Sequence, residues 1–500
     1  MKKNWIFALL LVFFSAPLKS FAYYEITKEC ETALMEILDL HLQNATKIIN
    51  EEKLKTPDNY FLLYLENYKD LVEILVHEDK SSYKAYLEKF NARLDKMEEK
   101  NPSTPYYRAL RAEMMAQTGL INVLNGDEVS GFLKIVKANK LLKVNFKENP
   151  DFYLNKKLYG VFNVVFDNIP PVVKWATTML GLVGSTEDGF NYLRSYKTEM
   201  EGRPGLYSES LVYLTFAYRI VSDDQGAYEM LKRDYVPSIS TTLGTYLYAL
   251  VLYRNGKNDE SLDLLYTLNP DEMEVPFYPI IQLIAREKLN RLDVDSEVYW
   301  LQYLNNSKNE NYKKESCNML SYYYLLNDNE EKYIFYRNMV STYDKAIINE
   351  DREADVEINR PYPVNIDLLK AHFLVSGSYF DKADSVLGNY NPDENNPIPA
   401  YEIQYYLLKG KISSKTGSYK ETMALYKLAI DKGRKLKEHY AAEAALMAGI
   451  LANENEHFDE AHDYYKLSQS INCDNNIYRE TIRKNAKTRL RKLRYLYPQP

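Results

Sequence analysis

Residues 401–470 read YEIQYYLLKGKISSKTGSYKETMALYKLAIDKGRKLKEHYAAEAALMAGILANENEHFDEAHDYYKLSQS. One pattern occurs twice in this stretch. Tyr406, Gly410, Gly417, Tyr419, Thr422, Tyr426 and Ala429 stand at offsets 0, 4, 11, 13, 16, 20 and 23. Ala445, Gly449, Glu456, Phe458, Ala461, Tyr465 and Ser468 repeat those offsets. A small residue falls inside one predicted helix, an aromatic opens the next, and small and aromatic residues share one face of it. Small residues let paired helices approach and aromatics fill the groove, so each copy predicts a helical hairpin that packs on its neighbours.

Farther toward the N-terminus, Thr245, Ala249, Gly256, Asn258, Ser261, Leu265 and Leu268 keep the register, as do Asp367, Ala371, Ser378, Phe380, Ala383, Leu387 and Tyr390. The four units resemble tetratricopeptide (TPR) hairpins. That resemblance implies an all-α fold, a TPR-like alpha-alpha superhelix (a right-handed helical-hairpin solenoid). Between the units, Val275–Asn290, Ser296–Asn305, Tyr312–Leu326 and Glu331–Ile348 read as further helices, with a short turn at Asp328-Asn329-Glu330.

The rest of the chain divides around these repeats. Residues 1–22 read as a bacterial signal peptide: Lys2 and Lys3, an apolar run from Trp5 to Phe14, then Ser20-Phe21-Ala22 at the cleavage positions. Residues 23–107 read as N-terminal helical hairpins, including one periodic stretch from Glu25 to Lys53 and a turn at Asn101-Pro102-Ser103-Thr104-Pro105. Residues 108–195 are irregular, and 196–349 are degenerate hairpins. Residues 350–365, charged and carrying Arg360-Pro361-Tyr362-Pro363, read as an exposed linker. Residues 366–470 hold the C-terminal repeats, with an Asn391–Pro399 loop, and 471–500 form a basic capping helix and tail.

Composition narrows the class. With 18 Gly and 19 Pro in 500 residues, there is little room for the turns of an all-β protein, while 46 Tyr suit packed amphipathic helices. The formal net charge is -7, and losing Lys2, Lys3 and Lys19 with the leader takes it to about -10. An acidic exported chain is a poor nucleic-acid binder. No stretch of the mature chain is apolar enough to span a bilayer, so the expectation is a periplasmic, or otherwise envelope-associated or secreted, protein. Cys30, Cys317 and Cys473 are few and far apart, which favours buried free thiols over a disulfide framework.

Gly160 to Leu193 carries Gly160, Phe162-Asn163, Ile169-Pro170-Pro171, Gly181, Gly184 and Gly189. This order resembles the central signature of the tetratricopeptide repeat protein 39 family, which includes the yeast inclusion-body-clearance protein. There a glycine opens a helix carrying Phe-Asn, a Pro-Pro step follows, and a glycine-rich turn precedes another helix. Ser185-Thr186-Glu187 departs from the acidic-basic pair usual after that glycine. The resemblance implies an all-helical scaffold without known catalytic residues. Its eukaryotic members act at intracellular membranes and lipid droplets, partners that an exported chain does not meet. Independently of the family, Phe162, Val165, Phe166, Ile169, Val172, Val173, Trp175, Ala176, Met179 and Leu180 are apolar on more than one helix face, which predicts an insert that fills the interior of a curved array or plugs its concave face.

Chemistry-bearing motifs are weak. His41, His77, His372, His439, His457 and His462 form no zinc spacing and read as solvent-facing or capping. Gly181-x-x-Gly184 lacks the Lys-Ser/Thr of a phosphate loop, and Ser208 lacks a nucleophile elbow. Asp351, Glu353, Asp355 and Glu357 do not match a calcium loop. The expectation is no enzyme, no catalytic residue, no metal and no cofactor. Tyr offers large rigid contact area with a polar tip. Tyr322, Tyr323, Tyr324, Tyr405 and Tyr406 are therefore candidate partner-binding residues for a protein or peptide, with packing between hairpins as their alternative role. Trp175 and Phe190 are the candidates for a rival carbohydrate or lipid pocket near residues 160–193.

Overall fold

The computed structural model describes residues 24–77, 82–99, 104–169, 171–237, 240–270, 273–308, 310–344, 346, 348–388, 390–391, 398–474 and 476–496. The leader at 1–22, the 101–103 part of one turn and most of the 391–399 loop lie outside them. The regular elements described are helices. They fall into two compact units, one running to Tyr213 and one from Leu214, with Val76–Asp79 belonging to the second.

In the first unit lie α1 (Lys28–Leu38), α2 (Leu42–Lys55), α3 (Phe61–His77), α4 (Tyr83–Glu98), α5 (Pro105–Leu124) and α6 (Glu128–Glu148). They are followed by α7 (Tyr153–Asp167), α8 (Pro171–Met179) and α9 (Thr186–Glu199). The division itself falls inside α10 (Pro204–Ile220). The second unit continues with α11 (Asp224–Asp234), α12 (Thr242–Arg254), α13 (Asn258–Leu265), α14 (Pro279–Asn290) and α15 (Ser296–Asn306). Next come α16 (Lys313–Leu326), α17 (Glu330–Met339), α18 (Asn349–Ile358), α19 (Ile366–Ser376) and α20 (Phe380–Gly388). The last five are α21 (Pro399–Thr416), α22 (Tyr419–Gly433), α23 (Tyr440–Glu454), α24 (Phe458–Ser470) and α25 (Asn476–Leu496).

The repeat pattern has a direct steric cause. A Cβ on Gly410 of α21 would sit 2.5 Å from the Tyr426 ring of α22, and one on Gly449 of α23 would sit 2.7 Å from the Tyr465 ring of α24. The missing side chain is the slot into which the aromatic sixteen residues later fits. Ala249 with Leu265, and Ala371 with Leu387, make the same pairing, all four fully buried. Ser418 caps α22, its side chain and that of Glu421 forming a reciprocal capping box.

The structure extends the register beyond the four units read from sequence. Offset 11 is the turn residue, and it is left-handed at Gly256 (φ 71°), Ser378 (65°) and Glu456 (62°). The same turn recurs at Leu40 (65°), Gly126 (84°), Ser222 (53°) and Asp328 (55°). Leu40 splits the Glu25–Lys53 stretch into the hairpin α1–α2. Gly119 and Gly131 hold the small-residue positions of α5 and α6, where added Cβ atoms would come within 2.9 and 2.6 Å of the opposite backbone.

Two expectations are corrected. Residues 160–193 are an apolar filling only in part: Phe162, Phe166 and Leu182 are core, but the described apolar side chains of α8 are not. The helices α7 and α9 pair as an ordinary hairpin, while Trp175, Met179 and Val183 are 69%, 80% and 58% exposed. Residues 350–358 are not part of an exposed linker either, because α18 buries Asp351 and Ala354, and only 359–365 form a connection. Asp351 accepts the backbone N–H groups of Tyr312 and Glu315 at 2.8 and 2.9 Å, placing an anion at the N-terminus of α16.

Cys30, Cys317 and Cys473 are free and buried, as expected.

Candidate functional site

In the second unit, first helices of successive hairpins pack against one another: α12 on α14, α14 on α16, α16 on α19, α19 on α21, and α21 on α23. Their exposed sides would form a groove. Here α25 packs on α23 and α18, and α18 packs on α16, leaving a cavity of about 400 Å³. Arg286 and Asn290 line it from α14; Glu315, Asn318 and Tyr322 from α16; Glu350, Glu353 and Glu357 from α18. Arg360, His372 and Phe373, His439, Tyr440 and Glu443, and Tyr478 of α25 are also part of the polar and aromatic wall.

Five glutamates therefore face two lining arginines. Three of the five have cationic partners. Arg286 pairs with Glu315, whose other oxygen accepts from Gln282 Nε2 at 2.8 Å. Arg360 pairs with Glu357, which also accepts from Tyr322 Oη at 2.8 Å and Tyr478 Oη at 3.3 Å. Lys411 Nζ donates to Glu443 Oε1 at 2.6 Å, and His439 Nε2 lies 3.7 Å from the other oxygen. Glu350 and Glu353 have neither a hydrogen bond nor an ion pair among the described residues. Three cations serve five carboxylates, so these two share only the longer-range pull of Arg286, itself paired with Glu315.

Burial pushes Glu353 up to about 7, with Glu350 adding repulsion and Arg286 pulling back. Burial also takes Glu315 to about 7 against the pull of Arg286. For Glu443, burial opposes ionisation, but Lys411 and His439 outweigh it and hold the carboxyl down at about 2. Burial likewise opposes Glu357, and Arg360 with Tyr322 keeps it below its ordinary value. His372 faces open space, yet the protein around the cavity and then Lys411 lower it to about 4. His439 is lowered by burial, and its ring stacks on Tyr478 with centroids 3.9 Å apart. His372 is solvent-facing, as expected from sequence, and His439 stands at the N-cap position of α23 without a side-chain capping bond; both stay uncharged at neutral pH.

The sequence candidates are scattered. Tyr322 lines the cavity. Tyr323 and Tyr324 are buried and turn elsewhere, Tyr323 Oη donating to the Val294 carbonyl at 2.7 Å and Tyr324 to Glu297. Tyr405 and Tyr406 are half-buried between hairpins, Tyr405 beside Tyr390 with centroids 5.6 Å apart. Trp175 stands exposed on α8, whereas Phe190 is buried on α9 beneath Arg194. Sequence reasoning missed Glu350, Glu353, Glu357, His372, His439 and Glu443. One signal was available: positions 350, 353 and 357 share a helix face.

The glycine signature at 160–189 is a packing device. Gly184 passes over the backbone of Asn163, whose Oδ1 accepts the Ser185 N–H at 3.2 Å. The Gly181 carbonyl accepts from Lys143 Nζ at 2.7 Å and Asn139 Nδ2 at 3.3 Å, so this loop presents an oxygen rather than an N–H cradle. Among the described residues no His, Cys, Asp and Glu grouping could hold a metal ion, and no helix is long and apolar enough to cross a membrane.

No protein-family model matches the chain, and no curated protein matches it in sequence. Among solved structures, it is similar to a chain of Naa15/Naa10 bound to HypK-THB, at 13% identity. The match covers 93% of this chain and 80% of that one, with a TM-score of 0.20. At that score the likeness bears on neither partner nor activity, and the class (an all-α protein of stacked TPR-like hairpins) rests on the packing described above.

Proposed function

We propose that the protein is a non-catalytic scaffold, exported to the cell envelope, that holds a segment of a protein or peptide partner in the cavity of its second unit. The observation that carries this reading is the polar, charged cavity left where first helices of successive hairpins meet α18 and α25. Repeat scaffolds use the surface of their first helices for partners, and here that surface is concave, aromatic and charged. The arginines at the wall, and Lys411 behind it, are tied to carboxylates and the histidines are neutral, which suits holding a charged group more than relaying protons. The signature resembling the tetratricopeptide repeat protein 39 family supports the scaffold reading, and the lysine-led leader supports export.

Photo-crosslinking tests it. A photoreactive residue at Met447, on the cavity wall, should give a discrete polypeptide adduct in intact cells. The same residue at Val294, 77% exposed and outside the wall, should not. Adducts only to glycan or lipid, or none, would contradict the proposal. One observation favours the rival carbohydrate or lipid reading: the exposed apolar row Trp175, Met179, Leu180 and Val183 beside the 160–193 signature.

A further inference from the structure

The cavity carries information about what enters it. Glu350 and Glu353 are three residues apart on α18, so their side chains project from one face. Both line the cavity without a hydrogen bond or ion pair among the described residues, and Arg286, the cation that acts on both, is paired with Glu315. A second observation is independent of the acids. Asn318, 1% exposed and part of the same wall, has its side-chain oxygen buried without a hydrogen-bond donor. An unpaired buried acceptor costs stability unless a donor reaches it. The wall between these groups is aromatic, with Tyr322, Phe373 and Tyr478. Two anions, an orphan acceptor and ring faces together match one chemistry, a cation with several N–H donors on an apolar stem.

We propose that the cavity takes the protonated amine or guanidinium at the end of a short alkyl stem, held between Glu350 and Glu353 with one N–H directed at Asn318. Within the scaffold reading, on which this rests, the group is a lysine or arginine side chain of the partner. A free amine offers the same chemistry from another source.

Binding is linked to protons. The groups facing Glu353 are Arg286 of α14, Glu315 of α16, Tyr478 of α25, and Glu350 and Glu357 on its own helix. His372, His439 and Glu443 stand elsewhere on the cavity wall. Charging Glu353 among these acids is unfavourable until a cation arrives, so affinity rises as pH climbs through about 7.

The test is calorimetric titration of the purified protein with Nα-acetyl-lysine methylamide, its arginine and norleucine counterparts, spermidine, and a lysine-containing pentapeptide with its norleucine twin. The lysine and arginine probes should bind and the norleucine probe should not. Replacing one charge-assisted contact weakens binding by about tenfold or more, so Glu350→Gln with Glu353→Gln should exceed that loss while its far-UV spectrum and melting stay those of folded protein. Asn318→Leu should weaken binding less. Equal binding of the lysine and norleucine probes, or unchanged affinity in the double variant, overturns the proposal. If both pentapeptides bind equally, the partner reading survives and the cation inference falls. If spermidine binds and neither pentapeptide does, the cation inference survives and the partner reading falls. Silence from every probe removes the cation inference.

Discussion

Gly160 on α7 and Gly189 on α9 meet backbone to backbone: a Cβ on Gly160 would lie 2.9 Å from the Gly189 carbonyl oxygen, and one on Gly189 would lie 2.7 Å from that of Gly160. The small residues of a regular pair such as Gly119 and Gly131 are twelve positions apart, and these are twenty-nine apart. The break in the repeat is thus an ordinary hairpin with seventeen extra residues, including α8, in its connection. Alanine is favoured over glycine in a helix by about 1 kcal/mol, but overpacking costs about 1–3 kcal/mol. Gly189→Ala, whose neighbours include backbone atoms, should lose about 1–2 kcal/mol in urea unfolding. Gly388→Ala, with open space around it, should lose nothing. A stabilised Gly189→Ala would refute the close pairing.

Lys157 is fully buried in the first unit between two acids. Its Nζ lies 2.9 Å from Glu113 and 3.0 Å from Glu209. Tyr64 and Tyr213 Oη donate to Glu113 at 2.7 and 2.9 Å, and Tyr196 Oη donates to Glu209 at 3.2 Å. Burial opposes the lysine charge, but the two carboxylates outweigh it and raise its pKa. Removing the cation strands two buried anions, so Lys157→Met should cost about 3–5 kcal/mol. Adding Glu113→Gln and Glu209→Gln should return a good part of it. Thermal melts of the single and triple variants decide this, and a single variant as stable as the parent would end the argument.

Glu353 should make the empty protein less stable as pH rises. Its folded pKa, about 7, lies above its ordinary value of 4.5. The folded state therefore holds its proton more tightly than the unfolded chain, and stability present at low pH is lost as pH climbs through about 7. Glu353→Gln removes that loss. Denaturation should show it matching the parent at pH 4, below the ordinary carboxyl value, and exceeding it by about 1–3 kcal/mol at pH 8. Equal stability at both pH values would mean that Glu353 is ordinarily solvated.

The hairpins were legible because their cause is local: in every copy of the pattern a small residue stands sixteen positions before the large one that packs on it, as Gly410 before Tyr426 and Ala249 before Leu265, and that can be read from spacing alone. The left-handed turns at Leu40 and Ser222 use no glycine, so the hairpins that they close left no composition mark, whereas the turn at Asp328 was marked by Asp328-Asn329. The cavity was illegible for a different reason. A charged run such as 350–357 reads as solvated, and what buries it is Asp351 capping a helix whose first residues lie 36 and 39 positions away. The Lys157 cluster likewise joins residues dozens of positions apart, with no spacing rule to reveal it. In the apolar stretch at 160–183, all-round hydrophobicity predicted burial. The exposed Trp175 and Met179 show that such a pattern also fits a helix left on the surface.

Trp175 and Phe190 should separate cleanly. Trp175→Ser alters an exposed side chain and should shift stability by no more than about 0.5 kcal/mol. Phe190→Ala, at a buried position, should cost about 3–5 kcal/mol. Flotation with phosphatidylethanolamine–phosphatidylglycerol vesicles adds a functional readout. On the scaffold account neither the parent protein nor Trp175→Ser floats. Flotation of the parent that Trp175→Ser abolishes would support the rival lipid reading.

The central claim is that the cavity of the second unit holds a partner segment by its charge. The most direct measurement is the Met447 photo-crosslink in intact cells, compared between the parent protein and Glu350→Gln/Glu353→Gln at equal cellular levels. The account predicts one polypeptide adduct in the parent and its loss in the double variant. An adduct of undiminished yield in the double variant would contradict it.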